Sequence, residues 1–236
     1  MISALADTVT VALVYAIAAR WCGRLAGFIA AALSALAVIQ VQLAHFFAFD
    51  GVMTTFIVAG VFFSVRVAQE GRRRDSALAG LMLGLGMATK VSVAPLALTV
   101  IAAHAIHAFS RPGEALELTG ARGPEAVDRR RQALRGALVA FGIAAVAMLL
   151  TQPYMLLDYG TFARNVADQS QMVRRLVDLP YTRQYVDTPK YAYQAWQLGV
   201  WGLGPAAALA LWAGFLACLA VTALARRKTD LVVLSW

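Results

Sequence analysis

Charge is what this chain has least of. Asp, Glu, Lys and Arg make up 14% of its 236 residues, where a soluble domain carries about a quarter. That shortage excludes an ordinary soluble fold and any separate soluble domain able to bury its own core. Cysteine is nearly missing as well. Cys22 and Cys218 lack metal-site spacing and both fall on the side assigned below to the cytoplasm, so free thiols are expected and no disulfide. Of the three histidines, His104 and His107 share one helix face at i,i+3, but no third ligand stands near them, which argues against a metal centre. No cofactor is expected, with a divalent metal left open. Met1 leads directly into an apolar run with neither a basic n-region nor a small-residue cleavage site, so no signal peptide is expected.

What is abundant is apolar sequence: 60% of residues, with a mean hydropathy of +0.65. Runs of about 20 apolar residues recur, each long enough for a ~30 Å hydrocarbon core. The expected fold is all-α: one polytopic transmembrane bundle over 1–236, with about seven spans and a truncated one at Leu231–Trp236. The chain reads as a fragment. Its formal net charge of +8 does not point to nucleic acid, because the basic residues cluster in short loops between spans, as cytoplasmic loops do.

The spans are expected at about Ile2–Ala19, Leu25–Phe47, Gly51–Ala68, Ser76–Ala88, Val91–Phe109, Ala133–Thr151 and Leu198–Ala225. A polar cytoplasmic loop is expected over 110–132 and an outer-face loop over 152–197. The clusters Arg20/Arg24, Arg66/Arg72–Arg74, Arg111–Arg135 and Arg226–Lys228 share one side only if Ser76–Phe109 crosses twice, turning at Lys90. A single helix over those 34 residues would be roughly 50 Å long at ~1.5 Å per residue, too long for the core. Gly80, Gly84 and Gly86, and the alanines of the second span, give the small-residue spacing that lets membrane helices approach closely.

Two charges at the ends of apolar runs stand out. Asp50 closes Ala44-His45-Phe46-Phe47-Ala48-Phe49-Asp50, and Lys90 closes Ala88-Thr89-Lys90. A charge near a membrane costs about 2.5–3.5 kcal/mol at the bilayer centre, so such groups sit at interfaces or wet cavities. Asp50 fits a helix N-cap or an outward carboxylate that orients an acceptor. Lys90 fits a snorkelling headgroup contact or an ammonium that holds a lipid phosphate, with Thr89 and Ser92 adding hydrogen bonds. Gly84-Leu-Gly86-Met-Ala-Thr-Lys90 is not a phosphate-binding P-loop, because no Gly precedes the Lys and no strand leads into it. His45 fits a packed interfacial residue or a substrate contact near Asp50. Asp7, inside the first span, calls for a polar partner that the sequence does not name.

The outer loop interleaves Arg174, Arg183 and other cations with Tyr181, Tyr185, Tyr193 and Trp196. An amphipathic helix is expected over Thr161–Val177, lying along the interface. The segment fits an aromatic belt, or a platform with tyrosine rings for sugar faces and arginine forks for phosphate.

These residues, in this order, resemble the membrane glycosyltransferases of the GT-C fold, and within them the protein O-mannosyltransferase and aminoarabinose lipid A transferase superfamily, grouped as glycosyltransferase family 39-like. The motifs are the turn Gly23-Arg24-Leu25-Ala26-Gly27, the outer Ala44–Asp50 segment, Gly80–Lys90, Leu179–Tyr185 and Trp201–Pro205. The resemblance implies a polyprenyl-phosphate sugar donor and a lipid, glycan or protein acceptor, with transfer at the periplasmic or extracellular face of the cell membrane. It implies a catalytic or organising role for Asp50 and a lipid-phosphate role for Lys90. His45, Arg174, Tyr181, Arg183 and Tyr185 are expected to bind substrate. It also implies that the family's main acidic residues lie in an outer loop ahead of this stretch, so the fragment alone is expected to be inactive. The rival class is a multispan transporter or structural membrane protein with Asp7, Asp50 and Lys90 along a path. A transporter calls for internal repeats with interrupted helices in two halves, and no second copy of the Asp50 or Lys90 neighbourhood is present.

Overall fold

A computed structural model describes residues 1–46, 48–109, 126–174, 176–177, 180–189 and 191–225. Most of the expected cytoplasmic loop, the Arg226–Lys228 stop and the truncated span lie outside these residues. All of the described regular structure is helical.

Helix α1 (Ile2–Cys22) stops at Gly23, whose φ of 87° is a conformation L side chains rarely adopt. The next apolar run was expected as one span and is instead broken, with α2 (Arg24–Ala35) and α3 (Val38–His45) bent by 58°. Neither Pro nor Gly sits at the break. Across it, Ser34 Oγ donates to Gln40 Oε1 and Gln40 Nε2 donates to Asp7 Oδ1, each at 2.8 Å. Asp7 thus finds its partner on α3. An unpartnered carboxylate there would be costly, and side-chain hydrogen bonds at a break are a known cause of kinking.

Helix α4 (Phe49–Glu70) ends on Gly71 in the left-handed region, φ 63°. Helix α5 (Arg73–Thr89) is followed by a 3-10 turn at Val91–Val93 and by α6 (Leu96–Phe109). Helix α7 (Ala126–Thr151) starts earlier than expected. Part of the polar stretch assigned to the loop is therefore its first turns, because Gln132 Nε2 donates to the Gly71 carbonyl at 2.9 Å and Arg129 is buried. Beyond it come α8 (Tyr154–Leu157), α9 (Tyr159–Val173), a 3-10 turn (Pro180–Tyr185), α10 (Ala192–Gln197), a π-helical turn (Leu198–Leu203) and α11 (Pro205–Ala225). Helix α9 is shorter than the expected amphipathic helix, which ran to Val177. It starts where Asp158 Oδ1 accepts from the Thr161 N–H at 3.2 Å.

Helices α1 and α4, the stretch Val91–Phe109 and most of α7 are each long and apolar enough to cross a membrane, and the bent α2/α3 pair would be a fifth if it forms one broken span and not a re-entrant loop. Of the other segments expected to span, α5 is 17 residues long and falls short of that length, and α11 counts as a shorter apolar helix, so four or five of the expected spans are met among the described residues. Close approaches fix their directions. Gly80 and Gly84 of α5 lie against the Ala140 and Ala144 carbonyls of α7, so these two helices run parallel. Gly60 meets Leu96 and Gly71 meets His107, so α6 runs parallel to α4. Thr10 bonds to Thr55 at 2.9 Å and Arg20 pairs with Glu70, so α1 also runs with α4. Arg66 pairs with Asp75 at one end of the α4–α5 hairpin and Asp50 with Lys90 at the other. The chain therefore does turn at Lys90 and cross back, as the parity of the basic loops requires. The core between α4, α5, α6 and α7 is built from Val65, Leu83, Val93, Leu96, Val100 and Ala140.

The bundle has two unlike ends. At the Gly71 end, Arg20 and Arg72 pair with Glu70, Arg66 pairs with the buried Asp75, and Arg129 is buried. There His104 bonds to Ser76 at 3.0 Å. His104 and His107 pack as buried side chains, and no cluster of metal-ligating residues occurs among the described residues. Neither Cys22 nor Cys218 is in a disulfide. At the opposite end stand Asp7, Asp50, Lys90 and the start of the segment after Thr151.

Candidate functional site

The site at that second end is assembled by the α4–α5 hairpin. Asp50 lies in the first turn of α4, but the N-cap is Ala48 and no side chain caps this helix. The carboxylate instead reaches across to α5, where Lys90 Nζ donates to Asp50 Oδ1 at 3.2 Å. Lys90 is the residue at which α5 stops: its backbone is extended (φ −158°, ψ 126°) while its N–H still bonds to the Gly86 carbonyl at 2.9 Å. The side chain therefore leaves the helix end sideways, toward α4. Thr89 does not add to the site, because its hydroxyl bonds back to the Leu85 carbonyl at 2.9 Å.

Both members of the pair are about half exposed, Lys90 at 53% and Asp50 at 48%. An ion pair this wet holds together weakly, at about 0–1 kcal/mol. It can open when an anion takes the ammonium. The carboxylate then has a free acceptor oxygen for a hydroxyl proton, the chemistry of a general base, and the ammonium supplies charge to a phosphate leaving group.

The other expected residues scatter. His45 ends α3, exposed, with Nδ1 at 2.7 Å from the Val41 carbonyl of its own helix, and is not joined to the Asp50–Lys90 pair. Arg174 follows α9 and is exposed. Tyr181, Arg183 and Tyr185 share the 3-10 turn Pro180–Tyr185. Of these, Tyr185 enters a built feature. It lines a groove of about 420 Å³ together with Gln42 of α3 and Tyr193, Gln194, Gln197 and Trp201 of the later segment. Tyr185 and Tyr193 meet edge to face at 5.7 Å, and Gln197 Nε2 donates to the Tyr193 hydroxyl at 2.9 Å.

Sequence reasoning missed Gln40, Gln42, Gln194 and Gln197. A signal was there: Gln40 and Gln42 are two amides inside an otherwise apolar run, which needs partners for them. Asp7 lacked a readable partner for the same reason, since its amide belongs to a helix whose break carries no Pro or Gly.

Residues 1–116 match the family model of dolichyl-phosphate-mannose-protein mannosyltransferase. No curated protein and no solved structure matches the chain. The matched stretch is just under half of the chain and holds both Asp50 and Lys90.

Proposed function

We propose that the chain belongs to an enzyme that moves a sugar from a polyprenyl-phosphate donor to an acceptor at the membrane face carrying Asp50 and Lys90. The observation that carries this reading is the 3.2 Å contact between a carboxylate and an ammonium from two antiparallel membrane helices, inside the stretch that matches the mannosyltransferase family. In this scheme the donor phosphate takes Lys90. Asp50, released from its partner, orients the acceptor hydroxyl or accepts its proton while the phosphate leaves.

Sidedness follows from the basic end. Cytoplasmic loops are enriched in Lys and Arg, and the arginines gather at the Gly71 end. The Asp50 end then faces the periplasm or cell exterior of a plasma or inner membrane. Helix α9, with Val166 and Val173 exposed, lies along that surface with its apolar face in the headgroup region, and Arg174 and Arg183 supply cations for anionic lipid or donor phosphate.

The test is sugar transfer by the full-length parent in membranes, with a polyprenyl-phosphate hexose as donor. Asp50→Asn and Lys90→Ala each abolish transfer while membrane expression is kept. Wild-type rates in both variants would refute the assignment.

A further inference from the structure

We propose that the groove between α3 and the Tyr185–Gly202 segment is a binding site for the neutral ring of a pyranose sugar. The inference rests on the glycosyltransferase reading and names a place for the sugar apart from the charged pair. Every residue lining the groove is uncharged. A phosphate would lose its water there without gaining a cation, which is costly. A sugar ring asks for the opposite chemistry. Its hydroxyls each donate and accept, and side-chain amides offer both a donor and an acceptor.

Gln42, Gln194 and Gln197 supply three such amides from two distant parts of the chain. Gln197 is already oriented, because its Nε2 is held by the Tyr193 hydroxyl oxygen at 2.9 Å. That bond leaves the Gln197 carbonyl free to accept and the Tyr193 hydroxyl proton free to donate. Trp201, Tyr185 and Tyr193 add aromatic surface for the C–H face of the ring. The volume of about 420 Å³ falls within the roughly 300–1,000 Å³ of small-molecule sites.

The backbone is set for this arrangement. Asp187 and Tyr191 both take positive φ, 58° and 65°, a strained conformation for such residues that clusters where ligands are held. These two positions flank the bend that brings Tyr193 edge to face with Tyr185. On the α3 side, the Gln40–Asp7 hydrogen bond ties the helix that carries Gln42 to α1.

Saturation-transfer NMR of the full chain in phosphatidylcholine/phosphatidylglycerol nanodiscs, with methyl mannoside and methyl glucoside as probes, tests the site. Wild type transfers saturation to the ring protons of a hexoside. Trp201→Ala and Gln194→Ala each lower it by about five-fold, the effect of one lost stacking or hydrogen-bond contact, with the helical circular dichroism unchanged. Trp201→Phe, which keeps a ring, retains most of the signal. Inorganic phosphate does not compete. A short-chain prenyl-phosphate hexose that displaces the hexoside marks the groove as holding the donor's sugar; one that leaves it bound marks the ring as the acceptor's. No signal in wild type, an equal signal in Trp201→Ala and Gln194→Ala, or displacement by inorganic phosphate overturns the proposal. The charged pair is judged separately: Asp50→Asn abolishes transfer if the enzymatic reading is right, and it keeps hexoside binding whether or not that reading holds.

Discussion

Lys90 reaches Asp50 at 3.2 Å across forty residues of sequence, from the end of one membrane helix to the start of its antiparallel neighbour. The pair is half exposed on both sides, and that exposure separates two roles that mutation usually confuses. A structural ion pair would matter to stability, whereas this one contributes about 0–1 kcal/mol.

The first expectation follows from that difference. Asp50→Asn and Lys90→Ala leave the thermal unfolding of the detergent-solubilised protein almost unchanged. The exchanged pair, Asp50→Lys with Lys90→Asp, restores an ion pair but not sugar transfer, because carboxylate and ammonium then face the wrong groups. Recovery of transfer in the exchanged variant would show that the pair acts only as a tie between helices.

Helix packing offers a controlled comparison. A β-carbon at Gly84 would collide with the Ala144 carbonyl, whereas one at Gly142 would meet open space. Gly84→Leu should destabilise the protein by more than the typical 1–3 kcal/mol of overpacking, since backbone cannot move aside as a side chain can. Gly142→Leu should be neutral or slightly stabilising through helix propensity. Thermal melts in one detergent compare the two, and equal melting points would mean that α5 and α7 do not meet along this face.

Gly71 is constrained twice. Its φ is 63°, and a β-carbon there would strike the His107 ring. Gly71→Ala should lower stability by the ~1–2 kcal/mol of a left-handed L-residue plus a steric part. Gly71→Ala combined with His107→Ala should recover only the steric part, which a double-mutant cycle measures. Full additivity of the two changes would remove His107 from contact.

Orientation is open to chemical labelling. With Cys22 and Cys218 changed to Ser, a Cys at Gln171 should react with an impermeant maleimide applied from outside intact cells, and a Cys at Arg130 only after the membrane is opened. Cys22, exposed just before Arg24, serves as a native marker of the Arg130 side when it is left in place. The reverse labelling pattern would invert the bundle.

Much of the fold was legible because membrane insertion is read locally. About 20 apolar residues make a span whatever lies elsewhere in the chain, and arginine clusters assign sides by counting. The turn at Lys90 came from that counting. The α2/α3 break escaped it, because the cause is an amide–carboxylate bond from Gln40 to Asp7 and not a helix-breaking residue. The early start of α7 escaped for a related reason, since Arg129 is buried inside the bundle although the stretch is polar. Among the site residues, Asp50 and Lys90 were marked as charges at the ends of apolar runs. The glutamines of the groove gave little signal, because an amide costs less in an apolar run than a charge does.

Sequence alone determined that this is a helical membrane protein and which of its ends is basic. Those properties depend on composition over windows of one helix length. Tertiary structure alone decided that Asp50 and Lys90 touch, that Asp7 holds Gln40, and that Gln42 shares a groove with Tyr193 and Trp201. Each of these contacts joins separate helices. Their alignment is set by where glycine lets one backbone lie against another, as Gly80 does with Ala140, and that close fit is a property of two packed surfaces that neither segment carries by itself.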